Sequence, residues 1–171
     1  MQIIRPVRVE RTYTQKLEAS PGEVFPLLCP VRETEWVSGW KPLAVYSNSG
    51  LAEPDCIFVT GEGQPDSYWL MTERDPETLR TTIVKVTPGM TAAKITIVLL
   101  ENADGGTDAR VTYMYTALSE EGEEFVRSYS EDYYAEFMAY WETTLNEYLR
   151  TGRKTAGEDS PPPDEDGAPS R

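Results

Sequence analysis

The chain has 171 residues, with 29 Asp and Glu against 16 Lys and Arg, a net charge of −13 and no histidine. That length suits a single core, and the charge repels a phosphate backbone, so nucleic acid is excluded as an expected partner. Without histidine, the Ser-His-Asp and Cys-His mechanisms lack their base. Zinc has no recognisable ligand spacing either, so no metal and no cofactor are expected.

Met1-Gln-Ile-Ile-Arg-Pro6 lacks the apolar run of a secretion signal, and no stretch nears the ~20 apolar residues that span a bilayer. The expectation is a soluble, cytoplasmic protein without a membrane span. In a reducing compartment Cys29 and Cys56 are then expected as free thiols.

From Val7 to Ala19 the chain alternates. Val7, Val9, Tyr13, Leu17 and Ala19 share one face, and Arg8, Glu10, Thr12, Thr14, Lys16 and Glu18 share the other, which predicts a half-buried first strand. Arg11 and Gln15 interrupt the apolar face, and a buried polar side chain must be hydrogen-bonded or lie beside solvent or ligand. Ser20-Pro-Gly-Glu23 then reads as a helix start, with Ser20 as cap, Pro21 in the first turn and Glu23 returning a bond to the cap. Pro26 makes this helix irregular, Cys29-Pro30 ends it, and residues 31–37 add a second short turn.

Six further strands are predicted at Leu43–Ser47, Cys56–Thr60, Ser67–Glu73, Thr78–Thr87, Thr91–Glu101 and Thr107–Leu118. Their separators, among them Asn48-Ser-Gly50, Asp75-Pro-Glu77, Pro88-Gly89 and Asp104-Gly-Gly106, are short turn sequences, so the sheet is expected as an antiparallel meander. One long helix is predicted from Ser119 to about Arg150, with Phe125, Tyr129, Tyr133, Phe137, Trp141, Leu145 and Leu149 four residues apart. Acidic residues fill its first turn and Gly152 stops it. The predicted domain is residues 1–151, and the acidic, Pro-rich residues 152–171 are expected to be disordered.

A strand, two short helices, six antiparallel strands and a long C-terminal helix resemble the START-like helix-grip superfamily, also called SRPBCC. The resemblance covers roughly residues 8–150. Glu18-Ala-Ser-Pro-Gly-Glu-Val-Phe25, Trp69 before Glu73-Arg-Asp-Pro76, and the aromatic last helix are similar to the polyketide-cyclase and heat-shock-chaperone-activator branches. Leu28-Cys-Pro-Val-Arg-Glu-Thr-Glu-Trp36 with Gly39-Trp40 resembles an uncharacterised bacterial subgroup. The resemblance implies an α+β helix-grip fold: a seven-stranded curved antiparallel sheet with the long helix laid across it. The superfamily hosts binders, cyclases and chaperone activators, so the fold alone does not choose among them.

A helix gripped by a curved sheet encloses a cavity, and this chain supplies many rings that end in a hydroxyl or an indole donor. The residues expected to touch a ligand are Gln15, Trp36, Trp40, Trp69, Tyr113, Tyr129, Tyr133, Phe137 and Trp141. No residue is singled out as catalytic. Glu33, Glu35 and Glu73 stand next to apolar or aromatic residues, but solvated surface charge is the simpler reading of each. The expected function is non-catalytic binding of a hydrophobic or aromatic small molecule. The alternatives are a cyclase or dehydratase working through carboxylate or tyrosine groups, and an interaction module of chaperone-activator type. Apolar residues on both faces near Ile95–Leu100 also permit pairing of two sheets in a homodimer.

Overall fold

The computed structural model describes residues 1, 3–63 and 66–154. Strand β1 (Arg8–Leu17) leads into α1 (Pro21–Val24) and two 3₁₀ turns (Phe25–Leu27 and Arg32–Glu35). Strands β2 (Ala44–Tyr46), β3 (Ile57–Thr60), β4 (Ser67–Asp75), β5 (Arg80–Thr87), β6 (Thr91–Glu101) and β7 (Thr107–Ala117) follow, and α2 (Glu120–Ser128) and α3 (Glu131–Thr151) end the fold. The strands form one antiparallel sheet in the order β1-β7-β6-β5-β4-β3-β2. Strands β4 to β7 are joined in turn by connections of three to five residues, as the turn sequences require, whereas β2 and β3 are joined by a longer loop, residues 47–56. This is a helix-grip α+β fold.

In β1, exposed residues alternate with half-buried or buried ones, so Val9, Arg11, Tyr13, Gln15 and Leu17 point inward. The helix start that follows is built as its sequence suggests. The Glu23 carboxylate accepts from the Ser20 N–H at 3.2 Å and from its hydroxyl at 2.6 Å, which holds the Glu23 carboxyl below its usual range. Pro26 lies two residues past the end of α1, inside the 3₁₀ turn by which the chain continues, and it has no N–H to extend the α-helical ladder.

Those turns are fastened to the sheet by a register change. Between Met71 and Glu73 the β4–β5 pairing shifts by one residue, a bulge at Thr72, after which Arg74 faces Thr81. Thr81 is buried, so the bulge sends Arg74 inward and leaves Glu73 on the outer side, where it meets Arg80 and Thr82. The Arg74 guanidinium donates to the carbonyls of Leu28 (2.8 Å) and Phe25 (2.9 Å) and lies 4.3 Å from the centroid of the Phe25 ring. A cation at the carbonyl end of a helical turn satisfies groups that would otherwise be orphaned.

The single helix expected over Ser119–Arg150 is two helices. Tyr129 leaves the helical region (φ −71°, ψ 79°), and Ser130 becomes a new cap whose hydroxyl accepts from the Tyr133 N–H at 3.1 Å. Glu131 and Asp132 then fill the first turn of α3, where the positive helix end favours them. With 21 residues, α3 is about 30 Å long. The restart also shifts the buried face: Tyr134, Phe137, Met138, Thr144 and Leu145 are buried, while Tyr133 is only half-buried.

Helix α2 fits against the β5–β6 turn through Gly122, where an added Cβ would sit 1.9 Å from the Met90 carbonyl oxygen. Cys29 and Cys56 are free and buried. Among the described residues, no helix is long and apolar enough to cross a membrane. The expected tail lies outside the described residues except for residues 152–154.

Candidate functional site

Where α3 and the 3₁₀ segment cover the sheet, a cavity of about 60 Å³ remains open to the centres of water-sized molecules. A single water needs roughly 10–15 Å³ on that measure, so the space admits several waters or one compact group. Inward residues of β4 to β7 form its floor: Met71, Thr81, Ile83, Ile95, Ile97, Val111 and Tyr113. Leu28, Pro30, Glu33 and Trp40 close it from the 3₁₀ segment, and Met138 and Trp141 close it from α3.

The walls are mainly rings. Trp40 stands edge-on to Phe58, Trp69 and Trp141, with centroids 6.3, 6.5 and 6.3 Å away. Phe58 stacks on Trp69 at 5.0 Å, a cross-strand pair fixed by the β3–β4 register. The Trp40 and Trp69 indoles are held by donation to the Pro30 carbonyl (2.8 Å) and the Thr60 hydroxyl (3.0 Å). The ammonium of Lys85, itself buried, lies 4.6 Å from the centroid of the Trp69 ring.

Gln15 joins sheet to helix at this cavity. Its side-chain amide donates to the Met138 carbonyl at 3.0 Å, which resolves the polar interruption in the first strand. Trp141 differs from the other tryptophans. Its Nε1 is shielded from solvent and has no hydrogen-bond partner.

Of the residues expected to contact a ligand, Gln15, Trp40, Trp69, Tyr113 and Trp141 line the cavity, whereas Trp36, Tyr129, Tyr133 and Phe137 do not. Trp36 is fully buried behind the wall, edge-on to Trp141 at 5.2 Å, and donates to the Leu27 carbonyl at 3.2 Å. Phe137 backs Tyr113 and Trp141, each 6.1 Å away. Tyr129 and Tyr133 contact each other at 5.6 Å where α2 meets α3. Sequence reasoning missed the inward residues of β5 and β6, because both faces of those strands carry apolar side chains.

The carboxylates weighed for acid–base work divide. Glu33 lines the cavity. Glu35 is held below its usual pKa by hydrogen bonds from Arg32 and Tyr148, and Glu73 by Thr82 and Arg80; both are thus favoured as ionised surface groups. Burial pushes the Cys56 thiol up and the Arg74 guanidinium down. Among the described residues no cluster of His, Cys, Asp and Glu could hold a metal ion.

No protein-family model matches the sequence, and no curated protein matches it. Solved structures do. Norcoclaurine synthase from Thalictrum flavum, in complex with dopamine and hydroxybenzaldehyde, is similar at a TM-score of 0.61 and 9% identity, covering 91% of this chain and 99% of that one. CalU16 from Micromonospora echinospora is similar at a TM-score of 0.51 and 14% identity, covering 90% and 88%. DynU16, from the dynemicin biosynthetic locus, is similar at 0.55 and 15%, covering 88% of this chain and 50% of that one. Together with the sheet order and the placement of α3, these likenesses define a START-like helix-grip fold.

Proposed function

We propose that the protein binds a compact hydrophobic or aromatic molecule, without reacting with it, in the cavity between α3 and the sheet. The carrying observation is the ring-built wall, in which Trp40, Phe58, Trp69, Tyr113 and Trp141 from five different elements and loops surround one space. Desolvating a small apolar body against such rings is favourable, and the few polar groups among them orient it. A fold neighbour was solved with dopamine and hydroxybenzaldehyde, aromatic molecules of the general kind proposed.

Ligand-observed NMR with toluene and with indole tests the reading. Saturable binding is expected, and it is expected to disappear in a folded Val111→Phe variant that fills the cavity from its floor. Absence of saturable binding of either probe by the wild type would overturn the proposal.

Glu33 and Tyr113 in the same wall favour a second reading, a cyclase or dehydratase that uses them as acid–base groups. Turnover lost in Glu33→Gln, with binding retained, would mark that chemistry.

A further inference from the structure

We infer that two copies of the chain pair back to back through the outer face of the sheet at its β2–β5 end, leaving their helices on opposite outsides. This surface lies away from the cavity and does not depend on the binding reading above.

The strand register builds it. Tyr46, Ile57, Leu70 and Val84 stand side by side across β2, β3, β4 and β5, and Val59, Tyr68 and Val86 form the row beside them. Phe58 and Trp69, their neighbours along β3 and β4, point into the cavity, so alternation turns these seven side chains outward. None of the seven is charged, in a chain where 26% of the residues are. Four are exposed: Tyr46 by 65%, Tyr68 by 45%, Ile57 by 39% and Leu70 by 37%. Single apolar side chains on a surface are ordinary, whereas two adjacent rows of them mark a contact. The stretch Ile95–Leu100 matches less well, since Ile95 and Leu99 are buried on the inner face.

Charge selects a second copy as the occupant. Residues 120–151, which hold both helices, carry nine acidic side chains against two arginines, so copies that approach each other through α2 or α3 are repelled. The outer face of the sheet is balanced: on β4 to β7, Arg80, Lys94 and Arg110 offset Glu73, Asp75 and Asp108. Two sheets packed face to face sit about 10 Å apart, which puts the acidic helices roughly 30 Å from each other, well beyond the ~8 Å over which charges act at physiological salt. An uncharged patch is matched by one equally uncharged, and a twofold axis supplies that match from the chain itself.

Area sets the strength. Taking ~200 Å² for a whole large side chain, the four exposed residues and the flanking valines offer about 500 Å² per copy, so a pair buries about 1,000 Å². That is the lower limit for a specific interface. The dimer is therefore weak and reversible.

Sedimentation of the full chain from about 5 to 500 μM tests this. One monomer–dimer equilibrium is expected, with half-conversion at roughly tens of micromolar, and no larger species, because a twofold interface closes on itself. Added salt is expected to leave the pairing unchanged or tighten it. Combining Tyr46→Glu with Tyr68→Glu places two charges at exposed positions and is expected to weaken pairing at least about tenfold, with an unchanged circular dichroism spectrum. Leu100→Glu, at an exposed position on the same face beyond the patch, is expected to leave it unaltered.

A wild type that stays monomeric over that range, species larger than a dimer, a dimer that survives the paired Glu substitutions, or one that Leu100→Glu abolishes would overturn the inference. So would association that salt dissolves, the mark of a charge-driven contact of sheet on helix. A monomeric wild type that binds phosphatidylcholine vesicles through Tyr46 and Tyr68 would overturn it by assigning the face to a membrane surface.

Discussion

The two ends of the interior use the same kinds of side chain and reach opposite results. At the α2–α3 junction, Tyr115, Phe125 and Tyr129 meet with centroids 5.0–5.4 Å apart, and the Tyr134 hydroxyl donates to the Val111 carbonyl at 2.9 Å. At the other end Trp40 stands 6.3–6.5 Å from each of its three ring neighbours, and a void remains beside it. Ring content alone does not decide whether an interior closes. A short helix that can seat its own rings independently closes the first end, while a 3₁₀ segment tied to the sheet by Arg74 holds the second open.

The sharpest way to break this contrast is to delete one ring at each end. Phe125→Ala at the closed end is expected to cost about 3–5 kcal/mol, the range for a buried ring that leaves a new hole. Trp40→Ala, half-buried and already beside a void, is expected to cost about 1–3 kcal/mol. Urea unfolding measures both, and equal losses would show that the ends are packed alike.

Next in size, Gly122→Ala is expected to destabilise by about 1–3 kcal/mol because its methyl meets the Met90 carbonyl. The usual effect of that change inside a helix is a gain of up to ~1 kcal/mol. A stabilised variant would mean that α2 can slide off the β5–β6 turn at no cost.

Gln15→Ala removes the bond to Met138 and enlarges the open end, with an expected loss of about 1 kcal/mol. Its melting transition should fall slightly while larger rings gain affinity. Unchanged selectivity for ring size would show that Gln15 does not limit the space open to a guest.

The smallest expected effect is of pH. Glu35 joins the 3₁₀ turn to α3 through Arg32 and Tyr148, and its carboxyl is held below the ordinary 4.5. A depressed carboxyl stabilises the fold above its unfolded pKa, and that contribution is lost as pH falls through the folded value. Urea midpoints should therefore hold down to about pH 5 and drop below it, with Glu35→Gln flattening part of the drop. An identical acid profile in that variant would remove Glu35 from the account.

Much of this architecture was legible because turns and caps are local chemistry. Pro88-Gly89 and Asp104-Gly-Gly106 mark their hairpins without help from the core, and the Ser20–Glu23 pair marks its helix. The break at Tyr129 was not legible from the spacing of rings, since Phe125, Tyr129 and Tyr133 keep their interval of four across it. The signal that could have found it is Ser130 followed by Glu131 and Asp132, a second cap inside a continuous stripe. At the cavity, Gln15 was legible because alternation in β1 isolates one polar residue. Glu33 was not, because an acid in a short turn is ordinarily solvated. Trp36 and Trp40 look equivalent in sequence, and only the path of the turn between them puts one behind the wall and the other in it.

The bulge at Thr72 makes β4 unusually sensitive to length. Pairing straight through it, without the bulge, would set Thr72 against Thr82 and Glu73 against Thr81 and rotate the far half of the strand by half a turn. A carboxylate would then sit beneath the Phe25 and Leu28 carbonyls in place of a guanidinium, oxygen facing oxygen. Homologous chains that keep this roof should therefore tolerate substitutions at that spot far more readily than insertions, and a lineage whose strand paired straight through it at the same length would have to rebuild the segment above it.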